Sequence, residues 1–326
     1  MSLLTDEFVV TSAEDGSSLT VLRKPYESHR SLNCKLRWRG KTLFEIFCTE
    51  FKLDAVYVKT ACDEGRILLN KSTCEPESVV INGDVIDHRW LATEPEIFLS
   101  SSSHIPHIIL QDEHVIAAYK PHGLPTVPQG KFFYTNLVSI IKTGLNLDYL
   151  QPVNRLDRAV AGVVILATDA YSKVSVVKKR YIAKVSGRFP DEINQCCAKL
   201  LLQKHIPDQI LKTVIDEEAG IDAWTMFRYL GPDDRGTCSF VEANPITGRT
   251  HQIRAHLAHL GHPIVGDRTY DGSGDDKLSQ PDLICLFSYE YWISPKDGKI
   301  VKLKCRPSSS PSWLPQEIRD QLDIPS

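Results

Sequence analysis

The segment Pro152–Arg158, with the sequence PVNRLDR, places the carboxylate of Asp157 between two arginines and directly ahead of a run of small and apolar residues. Within that run, Val163–Ala167 is continuously apolar, which is typical of a strand buried on both faces. We therefore expect Asp157 to lie in the turn before a core strand. A carboxylate in that setting stays charged only if it is paired. Taken alone, the pattern is also typical of a structural Asp–Arg pair or a turn aspartate.

Length and composition are those of a soluble globular protein. The chain has 326 residues, enough for two domains, with 42% hydrophobic and 24% charged residues. An apolar run of about 18 residues is lacking, so we predict no membrane span. The N-terminus also lacks the basic and apolar regions of a secretory signal. The nine cysteines are scattered without a CxxC pair, which favours free thiols in a reducing compartment. We predict a cytoplasmic protein, with the nucleus as the alternative.

Charge is unevenly distributed along the chain, although the formal net charge is only −3. Basic residues alternate at 35–41, and a second basic stretch includes Lys178, Lys179 and Arg180. Acidic residues collect elsewhere, as at 216–218. Such segregation indicates a basic face on a nearly neutral molecule, while a solvated mixed surface explains each stretch separately as well.

Composition and periodicity divide the chain into four parts. Residues 1–30 are polar and turn-rich, which indicates an N-terminal arm. The pattern at 31–97 predicts a small module of two helices and a short β-ribbon. Residues 104–311 form the predicted main domain, and 312–326 form a C-terminal tail after a segment rich in Ser and Pro.

The predicted elements indicate an α+β fold. In the module, helices are expected at Lys41–Phe51 and Val56–Cys62, and strands at Gly65–Asn70 and Val79–Ile86. The main domain is expected to contain helices at Ala170–Val177 and Thr250–Leu260 and strands at Val115–Tyr119, Val163–Ala167, Tyr181–Ser186, Met226–Leu230, Cys238–Ala243 and Ile284–Trp292. Strands outnumber helices without regular alternation, so we predict a mixed, mainly antiparallel sheet.

The chemically densest stretch is Asn244–Leu257. A turn at Gly248 and Arg249 precedes a helix that Thr250 is expected to cap, with Gly261 beyond its end. The N–H groups of the first helical turn have no partner inside the helix and favour a phosphate or a carboxylate. This stretch therefore predicts an anion-binding helix start.

Four histidines follow within twelve residues of one another, and they raise the question of a metal site. His251 and Arg254, three residues apart, are expected on one side of the helix, and His256, His259 and His262 continue the series. Carboxylates and cysteines are missing at the spacing of familiar zinc sites. We predict no metal here, and a metal-dependent hydrolase is the remotest alternative.

Four short segments of the chain are informative when they are taken together, in their order along the sequence. They are Lys120–Pro125, Asn154–Asp157, the strand around Tyr181, and Thr247–Arg254 with its continuation in Leu260–Asp267. Together they resemble the RluA-like family of RNA pseudouridine synthases from about Ile108 to Pro311, which is most of the chain. The resemblance implies the α+β pseudouridine synthase fold and an isomerase that converts uridine in RNA to pseudouridine without a cofactor.

The 31–97 module, through Gly65–Ile67 and Asn82–Asp84, is similar to the small RNA-binding module often attached ahead of this domain. The partner implied by the resemblance is therefore an RNA, which can be an rRNA, a tRNA or an mRNA. Its target uridine is expected to be flipped out, because a stacked base cannot reach a buried aspartate. We expect a monomer, with no membrane partner and no metal.

The resemblance also implies roles for individual residues. Asp157 matches the essential carboxylate, as nucleophile or as stabiliser of positive charge on the ribose. Arg254 matches its arginine partner, Tyr181 is expected to lie against the base, and Arg155 to help hold the everted nucleotide. RNA backbone contacts or support of the site are expected from Lys120, Arg249, His251, Lys178, Lys179 and Arg180.

Several positions around Asp157 depart from the family pattern. The family usually has histidine at Asn154, Thr-Ser or Thr-Ala at Val160–Ala161, and Leu-His-Ala at Leu286–Ser288. The stretch from Asp157 to Tyr181 is also shorter than usual, which indicates a trimmed helix. The alternative function is therefore a weak or inactive RNA-binding or RNA-folding protein on the same fold.

Overall fold

The computed structural model describes residues 3–13, 18–99, 104–171, 174–203, 212–271, 283–294, 298–322 and 324. Within these residues the helices are α1 (Leu43–Glu50), α2 (Ala55–Asp63), α3 (Leu137–Gly144), α4 (Gln252–His259) and α5 (Gln316–Gln321). The strands are β1 (Phe8–Ser12), β2 (Leu19–Arg23), β3 (Tyr26–Asn33), β4 (Ile67–Leu69), β5 (Ser72–Thr73), β6 (Val85–Ala92), β7 (Ile97–Leu99), β8 (His107–Gln111), β9 (Val115–Lys120), β10 (Gln151–Pro152), β11 (Ala161–Ala167), β12 (Ser175–Ser186), β13 (Gln195–Leu202), β14 (Thr213–Ile215), β15 (Ile221–Pro232), β16 (Cys238–Pro245), β17 (Leu286–Ser294) and β18 (Val301–Lys304).

The smaller of two compact units spans Lys24–Glu94 and contains a four-stranded sheet in the order β3-β6-β4-β5. Helix α1 begins with a capping box, in which Thr42 and Glu45 bond each other's backbone N–H groups. Asp54 caps α2 through its carboxylate, which accepts from the backbone N–H groups of Val56 and Tyr57. The strand predicted at Val79–Ile86 is wrong over most of its length, because residues 82–83 form a turn and β6 begins only at Val85.

The larger unit comprises Met1–Arg23 and Pro95–Ser326. Its first strands pair in a three-stranded sheet, β1-β2-β7, and this differs from the predicted N-terminal arm. The physical reason is the alternation in β2, where Leu19 and Val21 are buried in the main core. At the other end of the chain, the predicted tail contains α5, whose Ile318 is also buried in that core.

An eleven-stranded sheet organises the larger unit. Nine strands follow the order β14-β13-β15-β16-β12-β17-β11-β9-β8, while β10 pairs with β11 and β18 with β17. Among the described strands only β11 and β17 are parallel, and the other pairs in this sheet are antiparallel. The predicted α+β class with a mixed, mainly antiparallel sheet is confirmed.

Strand β11 lies in the middle of the core and is buried at all seven positions. Gly162 has a φ of +130°, and a Cβ at this residue would lie only 2.0 Å from the backbone oxygen of Ser288. Glycine is therefore needed here, because only glycine lets β17 approach β11 this closely. This contact fixes the strand that follows the Asp157 turn.

Two predicted helix assignments need correction. Ala170–Val177 is not a helix in its described part, since β12 begins at Ser175 and its β-branched residues pair with β17. The helix expected at Thr250–Leu260 is present as α4, but its N-cap is His251 rather than Thr250. Gly261 does take the left-handed conformation expected beyond the helix end, with a φ of +83°. Helix α3 was missed by the sequence patterns.

Candidate active site

The turn that carries Asp157 is held rigidly by its neighbours. Asn154 Oδ1 accepts a bond of 2.7 Å from the backbone N–H of Ile165 in β11. On the other side, Thr126 is buried and its hydroxyl exchanges two bonds with the backbone of Leu156, at 2.8 and 3.1 Å. These bonds fix the backbone on both sides of the aspartate, so the Asp157 carboxylate is presented from rigid backbone at the end of the sheet.

Arg254 joins Asp157 to a second carboxylate. Its Nη1 lies 2.9 Å from Asp157 Oδ2, while Nε and Nη2 lie 2.6 and 2.8 Å from the two oxygens of Asp267. Asp157 keeps 29% of its side chain exposed, whereas Asp267 keeps 1%. Burial alone lowers the pKa of Arg254, but Asp267 and then Asp157 outweigh it and raise that pKa. The arginine is therefore a fixed cation behind the exposed carboxylate.

His251 borders the same carboxylate. It is the N-cap of α4, with a left-handed φ of 54°, and its side chain makes no cap bond. Its Nε2 lies 3.5 Å from Asp157 Oδ2, and its Nδ1 lies 3.2 Å from the hydroxyl of Tyr270. Burial lowers the pKa of His251, with Asp157 acting in the opposite direction. His251 therefore supports the Asp157 side chain from the start of α4.

Tyr181 forms part of the wall next to Asp157. It lies in β12 and keeps only 7% of its surface exposed. Its hydroxyl shares a hydrogen bond with the hydroxyl of Tyr291 in β17. Burial, followed by the neighbouring Tyr291, raises the pKa of Tyr181 well above its ordinary value. The Tyr181 hydroxyl is therefore protonated at neutral pH.

Asp157, Tyr181 and Arg254 line one open cleft with a volume of about 1220 Å³. Small-molecule pockets usually measure about 300–1,000 Å³, so this cleft has room for more than one nucleotide-sized group. Asp157 and Asp267 are the acidic residues among its described lining, and both contact Arg254. The basic lining residues are Arg155, Arg158, Lys179, Arg249, Arg254 and Arg268. The excess of cations suits a polyanion.

Comparison with known proteins identifies the family. A family model described as RNA pseudouridylate synthase matches residues 114–259. RNA pseudouridine synthase 7 of Arabidopsis thaliana is 32% identical over 309 residues, which cover 86% of this chain and 77% of the plant protein. The chain belongs to the RNA pseudouridylate synthase family. The resemblance inferred from the sequence is thereby confirmed.

Two further members of the RNA pseudouridylate synthase family are informative. The "tRNA pseudouridine(32) synthase, mitochondrial" of Saccharomyces cerevisiae is 32% identical over 262 residues, 76% of this chain and 54% of the yeast protein. This chain thus spans about half the length of that relative. The solved structure of human RNA pseudouridylate synthase domain containing 1 has a TM-score of 0.50 and 19% identity, covering 67% of this chain and 88% of the human one. Because the sequence identity is only 19%, this structural similarity is evidence for the fold alone, which is that of a pseudouridine synthase.

Lys120, which the RNA pseudouridylate synthase pattern led us to place against RNA, is completely buried. Its Nζ donates to the carbonyls of Pro121, Leu124 and Arg158, at 2.9, 2.7 and 3.3 Å. Burial lowers the pKa of Lys120 to about 7, while nearby Asp157 acts to raise it. The phosphate contact is therefore corrected: Lys120 supports the site by tying its own turn to the residue after Asp157.

The predicted basic stretch of β12 divides between three environments. Lys178 is exposed, with Nζ 5.3 Å from the ring centre of Trp292, and Lys179 lines the cleft and donates to Thr247 O at 2.7 Å. Arg180 is engaged by two buried carboxylates, Glu242 and Glu290. The predicted RNA contact of Arg180 is corrected, because its guanidinium neutralises these carboxylates inside the sheet.

Arg155 and Arg249 lie at the exposed rim of the cleft, where the sequence placed RNA contacts. Arg249 Nε donates to the backbone oxygen of Asp222 at 3.3 Å. Its backbone N–H donates to Gln252 Oε1 at 2.9 Å, so this N–H of the predicted anion site is already occupied.

Asp267 is the functional residue that sequence reasoning missed. The segment ending in Asp267 was singled out as part of the resemblance, but no role followed from the pattern. Asp267 follows Arg254 by 13 residues, after the end of the helix and a turn, so the sequence does not reveal their bidentate pairing. The need for Asp267 becomes visible only once Arg254 is known to be buried with one exposed carboxylate partner, because a buried cation of this kind needs a second anion.

The four clustered histidines do not converge on one point. His256 bonds Thr225 inside the fold, His262 bonds the Ser186 carbonyl, and His259 is exposed. Among the described residues, no group of three or more His, Cys, Asp or Glu side chains is placed to hold a metal ion. Nor does any helix in that part of the chain have the length and apolar character to cross a membrane.

Proposed function

We propose that this chain is an RNA pseudouridine synthase, which isomerises uridine within RNA to pseudouridine. Membership of the family supports the reaction. The observation that carries the proposal is the Asp157 carboxylate, partly exposed in a cationic cleft and held from behind by Arg254. Tyr181 lines the same cleft as Asp157, and we propose that the uracil base packs against its aromatic ring.

The reaction balances without any external reactant. The bond between N1 and C1′ breaks, the freed uracil turns, and a bond forms between C5 and C1′. C5 loses a proton and N1 gains one, so substrate and product have the same composition and oxidation state. We therefore propose that the enzyme works without a cofactor, and that its residues bind, orient and move a proton.

Asp157 is proposed to act on C1′ of the ribose, either as nucleophile or by stabilising positive charge there. Within the described residues, both polar contacts of the carboxylate are made by Oδ2, from Arg254 and His251. Oδ1 is then the oxygen available to the substrate. The guanidinium of Arg254 lies 2.9 Å behind Oδ2, so the carboxylate is held in place for either role.

The substrate is proposed to enter as an everted nucleotide, because Asp157 lies inside the cleft and cannot be reached by a stacked base. Arg155 at the rim would hold the flanking backbone, and the remaining cations would attract the strand. The 31–97 module is proposed to add RNA contacts. We choose tRNA as the first substrate class, since the yeast relative is named for uridine 32 of a tRNA.

Tritium release tests the proposal. The purified chain is incubated with tRNA transcripts that carry tritium at C5 of uridine, and tritium in water reports each isomerisation. Asp157→Asn should lower the rate by about 10³-fold or more, because the neutral amide cannot serve either role. Asp148→Asn, at an exposed carboxylate outside the cleft, is the matched control and should keep the parental rate.

A second function, RNA binding or RNA folding without catalysis, is motivated by the departures from the family pattern at Asn154 and Val160, which line the cleft. It would show as tight RNA binding with no tritium release from any RNA class. Parental release by Asp157→Asn would instead show that another group carries the reaction. The monomeric state and the cytoplasmic location stay predictions.

A further inference from the structure

A buried polar cluster lies in the wall of the cleft behind the Asp157 turn. Tyr181 of β12 pairs in register with Ser288 of β17, and Tyr291 follows on the same strand. Asn154 comes from the turn before β11 and lines the cleft together with both tyrosines. The four side chains thus bring together three elements that meet at the site.

The two phenols are deeply buried and depend on each other. Tyr181 keeps 7% and Tyr291 keeps 1% of its surface exposed. Their rings meet edge to face, with centroids 6.2 Å apart, and the hydroxyl groups share one hydrogen bond. A buried phenol normally finds a polar partner, because an unpaired hydroxyl in a core is costly. Core packing alone would be served by phenylalanine, so the second hydroxyl needs an explanation.

The side-chain amide of Asn154 has a fixed orientation in this cluster. Its Oδ1 accepts from the Ile165 backbone N–H, so the amide orientation is set and Nδ2 must face the other way. Nδ2 is buried and, among the described residues, has no partner of normal geometry; the same holds for the Ser288 hydroxyl. Burial raises the pKa of Tyr291 to about 12, while Tyr181, Ser288 and Asn154 act to lower it. The amide Nδ2 of Asn154 can only donate, whereas either phenol can be the donor in the hydrogen bond that Tyr181 and Tyr291 share.

We propose that Tyr291 is a positioning residue, which holds the Tyr181 hydroxyl so that its O–H points into the cleft. Asn154 donates toward the Tyr291 oxygen, Tyr291 donates to the Tyr181 oxygen, and the Tyr181 proton is left for the substrate. The acceptor there is a carbonyl oxygen of the uracil ring. This inference rests on the proposed function, and it assigns Tyr291 no contact with the substrate.

The chemistry gives this orientation a purpose. When the N1–C1′ bond breaks and its electrons stay with the base, the freed uracil carries negative charge over its ring and carbonyls. A fixed O–H donor aimed at a carbonyl stabilises that charge, and it needs no reorganisation at the moment of cleavage. A Tyr181 hydroxyl free to rotate would meet the base in the donating orientation only part of the time.

Tyr291→Phe is the decisive variant, because it keeps the ring and removes only the hydroxyl. We expect kcat to fall roughly tenfold, the effect of one hydrogen bond, with KM for RNA changed less than about twofold. Tyr289→Phe is the matched control: it lies two residues away on β17, is as buried, and bonds Glu242 outside the cleft lining. It should keep the parental kcat at temperatures below its melting point.

A double-mutant cycle separates positioning from folding. If Tyr291 acts through Tyr181, the variant that carries both Tyr→Phe changes should be no slower than Tyr181→Phe alone. Losses that multiply would overturn the inference, and so would a parental kcat for Tyr291→Phe. Should that variant not fold, Ser288→Ala replaces it, with an expected two- to threefold loss of kcat that vanishes in the Tyr181→Phe background.

Failure of this inference can be told from failure of the proposed function. An active parent protein with an unchanged Tyr291→Phe variant overturns the positioning role and leaves the isomerase intact. A parent protein that releases no tritium from any RNA overturns the isomerase and the positioning role together.

Discussion

Replacing Asp267 by asparagine tests whether the Arg254 guanidinium must be held from behind for Asp157 to react. Asp267 keeps 1% of its side chain exposed and accepts two bonds from Arg254, at 2.6 and 2.8 Å. It also accepts from the backbone N–H of Thr269 at 3.2 Å. Asparagine keeps the shape and one acceptor oxygen but removes the charge.

The expected cost in stability follows from these contacts. A hydrogen bond to a charged group contributes about 1.5–3 kcal/mol, and removing one partner of a buried ion pair costs about 3–5 kcal/mol. The asparagine oxygen retains one bond and Arg254 retains Asp157, so the free energy of unfolding should fall by about 2–4 kcal/mol. Because a displacement of about 1 Å in a site costs about 100-fold, kcat should fall about 10–100-fold.

Urea unfolding and tritium release measure the two quantities separately. Glu242→Gln is the control, since Glu242 is a buried carboxylate paired with Arg180 outside the cleft lining. It should lose comparable stability and keep the parental kcat. If Asp267→Asn loses less than about 1 kcal/mol and reacts at the parental rate, Arg254 does not depend on Asp267 and the reasoning is refuted.

Four other substitutions test folding and RNA binding separately. Lys120→Met removes an ammonium whose pKa burial lowers to about 7. In the unfolded chain Lys120 keeps its proton up to its ordinary pKa of 10.5. The free energy of unfolding of the parent should therefore rise by about 1.4 kcal/mol per pH unit between pH 7 and 10.5. Chemical denaturation over this pH range should show a smaller rise for the variant. Arg180→Ala removes the guanidinium shared by the buried carboxylates of Glu242 and Glu290, leaving them only more exposed cations as partners. It should cost about 3 kcal/mol in unfolding free energy at unchanged RNA affinity. Arg249→Ala should instead weaken RNA binding and reduce its salt slope by about 1 at an unchanged melting temperature; the reverse result for these two arginines would contradict their placement. Gly162→Ala places its Cβ 2.0 Å from Ser288 O, so the yield of folded protein, measured by circular dichroism, should collapse.

The sequence was sufficient where the local pattern and the tertiary environment agree. The turn at Asp157 was predictable because the run after it is apolar at every position, and that run is indeed the fully buried β11. The end of α4 was predictable from Gly261, whose conformation only glycine adopts freely. In both cases the information lies within a few residues.

Where partners lie far away in sequence, the patterns failed. The end of the region predicted as a helix at Ala170–Val177 lies in β12, which begins at Ser175, because β17, more than 100 residues later, pairs with it. Lys120 looks like a surface lysine until the carbonyl of Arg158 is placed beside it. Tyr291 gave no signal, since its importance depends on the hydroxyl of Tyr181, 110 residues away.

The sheet order has a consequence for synthesis of the protein. Strand β17 lies between β11 and β12 in the sheet, although those two strands are consecutive along the chain. A nascent chain that has not yet released Leu286–Ser294 from the ribosome therefore has a gap in the centre of its sheet, with two apolar strand edges unpaired. Such edges pair readily with other chains. Aggregation of the nascent chain is therefore expected to be greatest before β17 is made.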